Sequence, residues 1–344
     1  MKNQFISQHM PRHPLHQLRS LFIVLAAATL FAFSPGAMPK PRHFTFYTLQ
    51  PGVYAAIANP DGHAISNAGI VDMGSYLLVF DAFMTPHAAR EMRNMAEAFC
   101  GKPVRYLINS HWHNDHTGGN QVFGDATILG TEEIRMAMRE KLPDEVNSYP
   151  GFAPQTARTM SEMDIRNFNT FDSLEHILWL SYFSGIAESM DSLRITMADS
   201  IIKPPFTLES ESRRVIFLHA GNGHTTGDLV MWLPAEQILF AGDLVFSGYH
   251  PWLGDGDSES LISGLNSLEQ LKPKQVVPGH GPIGGPESIQ TMRAYVDSVR
   301  SIANNARRLG LPADSLNTLP VPEPFGEWHL KRFFTPNLRL SYSK

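Results

Sequence analysis

The sequence predicts an α+β protein in which two sheets pack face to face with helices outside. Three observations carry this expectation. A succession of meander, strand, polar loop and helix runs through the first half of the chain and again through the second. At 344 residues and 43% hydrophobic content the chain can bury one full-sized core, and no shift of composition divides it. The polar, chemistry-bearing residues gather where apolar strands stop, and loops at strand ends are where a rigid sheet presents reactive groups.

The chain opens with Lys2, Arg12 and Arg19 ahead of an unbroken apolar run, Leu21 to Phe33, and then Ser34-Pro35-Gly36-Ala37. This is the layout of a secretory signal, shorter than the roughly 20 residues that span a bilayer, with cleavage expected near Gly36 or Ala37. An uncleaved membrane anchor is the competing reading. The expected organisation is therefore a signal or N-terminal anchor over 1–37 and one catalytic domain over 38–344, secreted or periplasmic. Cys100 is the one cysteine, so no intrachain disulfide forms. It reads as a buried structural thiol at the end of a helical pattern, with no neighbouring His in sequence to activate it.

From His43 to Asp81 short strands alternate with turns: Phe44 to Leu49, Val53 to Ala58, Ala64 to Val71 and Ser75 to Asp81, parted by Pro51-Gly52, Pro60-Asp61-Gly62 and Met73-Gly74. Asp81, at the end of the fourth, either orients a metal-ligating His or serves a turn or cap. Pro86 to Phe99 is helical in pattern, Val104 to Ile108 is a strand, a short strand lies near Ala126 to Leu129, and a helix runs from Thr131 to Lys141. Residues 142–200 break the rhythm with a Pro-rich connection and Met and aromatic residues at helical spacing, and read as a helical insertion. Its apolar face either packs as core or forms a lid whose Trp179, Tyr182 and Phe183 face a substrate. Strands return at Pro205 to Leu208, Arg214 to His219, Asp228 to Leu233 and Gln237 to Ala241, followed by a helix over Ser258 to Leu271, a strand over Gln275 to Val277 and a long helix over Pro286 to Leu309.

Between the first strand–helix pair and the next lies Ser110-His111-Trp112-His113-Asn114-Asp115-His116-Thr117-Gly118-Gly119. Crowded His and Asp side chains carry a desolvation cost that only a partner removes, and a divalent cation is the natural one. In an extended segment His111, His113 and Asp115 share a face while Trp112 points into packing. His116 breaks that register, so a turn is expected there, with Gly118-Gly119 giving it backbone freedom. Imidazole nitrogen with carboxylate oxygen suits Zn(II) or Fe(II), and the absence of thiolates points to a catalytic rather than a structural site. The second half repeats the device three times, with His224 in a Gly-flanked loop, Asp243 after Ala241-Gly242, and His280 in Pro278-Gly279-His280-Gly281.

Taken together, His111, His113, Asp115, His116, His224, Asp243 and His280 resemble the pattern of the metallo-beta-lactamase superfamily, in order and in strand context, over roughly residues 45 to 300. Ser66-Asn67 and Asp81 also match its early motifs. The resemblance implies a four-layer αββα sandwich with metal at one edge. It implies that His111, His113 and His224 hold one zinc, that Asp115, His116 and His280 hold a second, and that Asp243 bridges them. It further implies a shared hydroxide that attacks an ester, thioester or lactam carbonyl, with Asp115 orienting it. Asp at 243, where some antibiotic-degrading branches carry Cys or Ser, is more like the glyoxalase-II-like and lactonase-like hydrolases. His at 113 departs from the Glu of the family's di-iron flavoprotein oxidoreductases. A mononuclear Fe(II) dioxygenase acting on persulfides is the alternative the same ligands allow.

The net charge of −5 and the lack of Lys/Arg clusters beside the His stretch exclude a nucleic-acid partner and favour a small-molecule substrate, with membrane contact only through the leader. Tyr249 and Trp252, just after Asp243, are expected substrate contacts. His250 is expected to line the same pocket, His219 to pack beside the His224 loop, and His63, His87, His176 and His329 to lie at the surface.

Overall fold

The structure, a computed structural model, describes residues 40–343. The expected leader over 1–37 lies outside the described residues. The meander comprises β1 (Phe44–Gln50), β2 (Val53–Ala58), β3 (Ala68–Asp72) and β4 (Leu77–Phe80), followed by α1 (Pro86–Cys100), β5 (Val104–Ile108), the one-turn α2 (Asn114–Thr117) and β6 (Thr127–Gly130). Thr85 caps α1 by accepting from the Ala88 amide, Pro86 sits in its first turn, and Gly101 ends it in the left-handed conformation. Next comes α3 (Glu132–Ser148), whose last turns enter the region expected as an insertion, followed by α4 (Ala153–Ser161), α5 (Thr170–Ser189) and the two-residue β7 (Ser200–Ile201). The second half follows with β8 (Phe206–Glu209), β9 (Arg214–His219), β10 (Leu229–Leu233), β11 (Ile238–Phe246), α6 (Ser258–Gln270), β12 (Gln275–His280), α7 (Pro286–Arg308) and α8 (Phe334–Ser343).

One sheet has the order β1-β2-β3-β4-β5-β6-β7 and the other β12-β11-β10-β9-β8. The first is antiparallel through β4 and parallel from β4 to β7, whereas the second is parallel only between β11 and β12. Period-2 alternation assigns each strand residue to a layer. Val53, Val71 and Phe80 of the first sheet meet Phe217, Met231 and Phe240 of the second in a shared core. Their neighbours Tyr54, Ile70 and Val79 face Ala88, Met92 and Ala96 of α1 on the outer side. Val230 and Leu239 face Leu261 and Leu265 of α6 and Met292 and Val296 of α7 on the other. Helix, sheet, sheet and helix thus form the expected four-layer α+β sandwich.

Three details depart from the sequence reading. The helix expected to stop at Lys141 runs on to Ser148 through Pro143, because buried Leu142 and Tyr149 anchor it on both sides of the proline. β11 and β12 extend past Ala241 and Val277, so Asp243 and His280 lie within strands whose parallel pairing continues through an irregularity at Gly242. After α7 the chain, for which no element was expected, turns through short 3₁₀ segments into α8, whose Phe334 and Leu338 cover the outer core of the second sheet.

Candidate metal centre

Every residue of the expected cluster arrives at one edge of the sandwich, where the C-terminal ends of β5, β11 and β12 meet. Two groups form, His111, His113, His224 and Asp243 in one and Asp115, His116 and His280 in the other, with the donor atoms of each within 4.8 Å of one another. His113 Nδ1 lies 3.0 Å from both His111 Nε2 and His224 Nε2. His280 Nε2 lies 3.1 Å, and His116 Nε2 3.6 Å, from Asp115 Oδ2. The Asp243 carboxylate stands between the groups, with Oδ1 3.0 Å from His116 Nε2 and Oδ2 3.3 Å from both His224 Nε2 and His280 Nε2.

The outward ring atoms explain why the rings hold these poses. Asp81 closes β4 and accepts from the Ser110 amide at 2.7 Å through Oδ1, while Oδ2 lies 2.9 Å from His116 Nδ1. Both expected roles are therefore present in its geometry, one oxygen holding the turn at Ser110 and the other facing the His116 ring. Ser110 Oγ lies 2.9 Å from His111 Nδ1, and Asp255 Oδ2 lies 3.2 Å from His113 Nε2. The Asp228 carboxylate gathers the His224 and Thr225 amides, which shapes the loop that carries His224. Asn67 ties the two sheets together at this edge, donating backbone and side-chain hydrogen bonds to the carbonyls of Pro278, Gly279 and Gly281 on either side of His280. A Cβ on Gly279 would overlap the Asp243 carboxylate, so glycine is required there for close approach.

The donor set fits a cation. Burial, reinforced by neighbouring His116, holds His111 neutral, and burial pushes His224 down to about 3, which leaves ring lone pairs free. Burial opposes charge on His116 and His280 as well, but Asp243 and Asp115 outweigh it, raising His116 and taking His280 up to about 9. His116 Nε2 and Asp243 Oδ1 are both buried and face each other across 3.0 Å without hydrogen-bond geometry. Acceptor nitrogens converging on one another and carboxylates crowded among them are what a divalent ion in an N/O site removes.

Two local expectations change. The extended strand ends at Ile108, Ser110 to Trp112 bend, and α2 begins straight after His113. α2 then sends Asp115 to the group of His116 rather than to that of His111 and His113. Gly118 and Gly119 adopt ordinary right-handed backbone, with φ of −62° and −87°, so freedom is not their role. A Cβ on them would overlap the carbonyl oxygens of Met84 and Ala82, so they let α2 sit against the β4–α1 loop. Gly119→Ala is expected to destabilise the protein by about 1–3 kcal/mol, read from denaturant unfolding, and an unchanged midpoint would refute the close-approach argument.

A cavity of about 510 Å³ opens over the centre, lined by Tyr249, Trp252 and Trp112 and, from the inserted helix α5, by Trp179 and Tyr182. Trp112 is 5% exposed in the inter-sheet core and also borders this cavity, so it does not simply point away. Phe183 packs with Tyr149 and Ile186 instead of facing the cavity. His250 is fully buried against Tyr295 and lies off the cavity wall, while His219 is exposed at the end of β9. His63 and His176, expected at the surface, are buried; His87 is exposed; His329 is half-buried with its ring stacked on Phe171. Cys100 is half-buried beside Tyr54, and burial raises its thiol pKa.

Asp255, Glu145 and Arg332 were missed by the sequence reading, and all three line the cavity. Asp255 had a signal, an aspartate between Gly254 and Gly256 just past Trp252. Glu145 lies beyond the expected helix end, and Arg332 lies in the tail for which no element was expected.

Asp81→Asn is expected to weaken metal binding about 10- to 100-fold. Asn tolerates the left-handed backbone at this position (φ 66°) but brings no charge to His116 Nδ1. Competition with a chromogenic chelator measures this, and an affinity equal to wild type would remove Asp81 from the site's support.

A family profile described as the metallo-beta-lactamase superfamily matches residues 61–280. The chain is similar to "Metallo-beta-lactamase type 2" of Bacillus sp. (strain 170), 34% identical over 238 residues, 67% of this chain and 73% of that protein. It is also similar to "Metallo-beta-lactamase type 2" of Bacteroides fragilis, 34% identical over 89 residues, 23% of this chain and 36% of that one. Against three of the curated relatives it matches, the chain spans less than half of their length, 36%, 43% and 47%. Among solved structures, the metallo-beta-lactamase from Pontibacter korlensis superposes with a TM-score of 0.54 at 18% identity, covering 74% of this chain and 99% of that one, a likeness of fold.

Proposed function

The chain belongs to the metallo-beta-lactamase superfamily, and from that premise we propose that it is a hydrolase that holds two zinc ions and cleaves an ester, thioester or lactam. The placement of Asp243 carries this reading, because its two oxygens reach donors of both groups at 3.0 and 3.3 Å. His111, His113 and His224 would hold one ion, Asp115, His116 and His280 the other, with Asp243 shared. Zinc in such a setting acidifies water toward neutral pH and polarises a carbonyl oxygen.

The chain's own residues supply the rest. Asp81, Ser110 and Asp255 fix the imidazoles, so the site needs little rearrangement to act. Asp115, partly exposed to the cavity, is placed to accept a proton from the attacking water and pass it toward the leaving group. Trp112, Tyr249 and Trp252 give an apolar wall that holds an acyl body and limits bulk water.

The test is a hydrolysis panel on zinc-loaded protein with beta-lactams, lactones, thioesters, aryl sulfates and phosphodiesters, alongside metal analysis. Turnover of a carbonyl substrate with about two zinc per chain supports the reading. A single iron with oxygen consumption on a persulfide would replace it with dioxygenase chemistry. We also propose export, with the mature chain beginning between Gly36 and Lys40. N-terminal sequencing of the expressed protein checks this, and intact Met1 in the soluble cytoplasmic fraction would refute it.

A further inference from the structure

We propose that Arg332 is an anion-binding residue at the mouth of the cavity, and that the substrate of this site is an amphiphilic carboxylate, an apolar body with its carboxylate held by Arg332. The inference rests on the hydrolase reading above for its use in turnover, though not for its test. Arg332 lies outside the residues that the family profile matches, on the turn before α8.

Three observations support it. First, Arg332 is the one Lys or Arg among the described residues lining the cavity, whose carboxylates are Asp115, Asp243, Glu145 and Asp255. Those carboxylates are engaged elsewhere: Asp115 and Asp243 within the donor groups, Glu145 with the Tyr149 hydroxyl at 2.6 Å, and Asp255 with Lys141 at 3.1 Å. Second, the guanidinium carbon lies 3.0 Å over the Trp179 ring and 5.5 Å from that of Phe183. Stacking uses the face of the guanidinium and leaves its edge N–H donors in plane, the arrangement that binds a carboxylate bidentately.

Third, no carboxylate of the described residues takes those donors. Glu175 is the nearby acid, and its oxygens already accept from Trp179 Nε1 at 2.9 Å and the Leu330 amide at 2.7 Å. A cation held in place by stacking, with its donors free at the rim of an aromatic cavity, selects a ligand with an apolar body and an anionic end. The body would lie against Trp179, Tyr182 and Trp252, reaching inward toward Asp243.

Binding of 4-phenylbutanoate and of its neutral analogue 4-phenylbutanamide to the zinc-loaded protein, measured by calorimetry, tests this. The wild type is expected to prefer the acid about tenfold, since a hydrogen bond to a charged group is worth about that much. Arg332→Gln is expected to weaken the acid about tenfold and the amide less than about twofold, while Arg332→Lys keeps part of the preference. The inference is overturned if Gln leaves acid binding unchanged, if Gln and Lys weaken acid and amide equally, as a purely packing role through Trp179 would, or if the wild type shows no binding of the acid at millimolar concentration. Zinc itself attracts carboxylates, but that contribution is common to all three proteins. Since no turnover is read, a panel without hydrolysis would defeat the proposed function and leave this outcome to stand by itself.

Discussion

Asp243→Ser is expected to lower turnover about 100-fold or more, since misplacing a reacting group by about 1 Å costs that much. A serine oxygen is a single donor on a shorter side chain. It cannot stand at once 3.0 Å from His116 Nε2 and 3.3 Å from His224 Nε2, as the two carboxylate oxygens do. The fold should survive, because Asp243 lies on β11 between strands held by apolar neighbours Leu244 and Val245, both buried. Comparing the variant with wild type at saturating zinc, on whichever panel substrate is turned over, reads the effect. Turnover within a few-fold of wild type with both metals retained would show that the shared carboxylate is dispensable.

The second large effect is on stoichiometry. His116→Ala and His280→Ala are each expected to reduce metal content from about two to about one per chain, because each removes one of three donors that hold the second group together. His116 is the more central of the two, as its ring lies between Asp81 at 2.9 Å and Asp243 at 3.0 Å. Its loss also leaves the Asp81 carboxylate buried with one partner fewer, so that variant should lose thermal stability as well. Elemental analysis after dialysis measures the content, and an unchanged ratio in both variants would sink the assignment of two sites.

The legible part of this protein is the part governed by short-range pattern. The continuous apolar runs Val53 to Ala58 and Leu229 to Leu233 mark strands covered on both faces, and Thr85-Pro86 with Gly101 brackets α1 in the sequence itself. The donor residues were legible because crowding His and Asp beside glycine is costly unless a cation draws them together. What escaped depended on long-range packing. Asp115 left the face of His111 because α2 docks beneath Met84 and Ala82, far back along the chain. The buried position of His63 arises from the folding of α5 over the meander, since His63 packs against Gly185 and its amide meets Ser181, while His176, on α5, is covered at its ring by Phe168. Arg332 reaches the cavity only because the tail after α7 turns back across the second sheet, and no local periodicity announces that turn.

The Asn67 bonds to the end of β12 acquire a different meaning once ligand origin is considered. His111, Asp115 and His116 come from one half of the sandwich, His224, Asp243 and His280 from the other, so any cation bound there fastens the two sheets across their open edge. Free metal in solution then acts as a stabilising ligand of the native state alone, and the midpoint of thermal unfolding should climb with its logarithm. Amide exchange should show the same edge as the first part of the protein to breathe after chelation and among the last when metal is restored. Asn67 fastens the same edge by hydrogen bonds that need no cation.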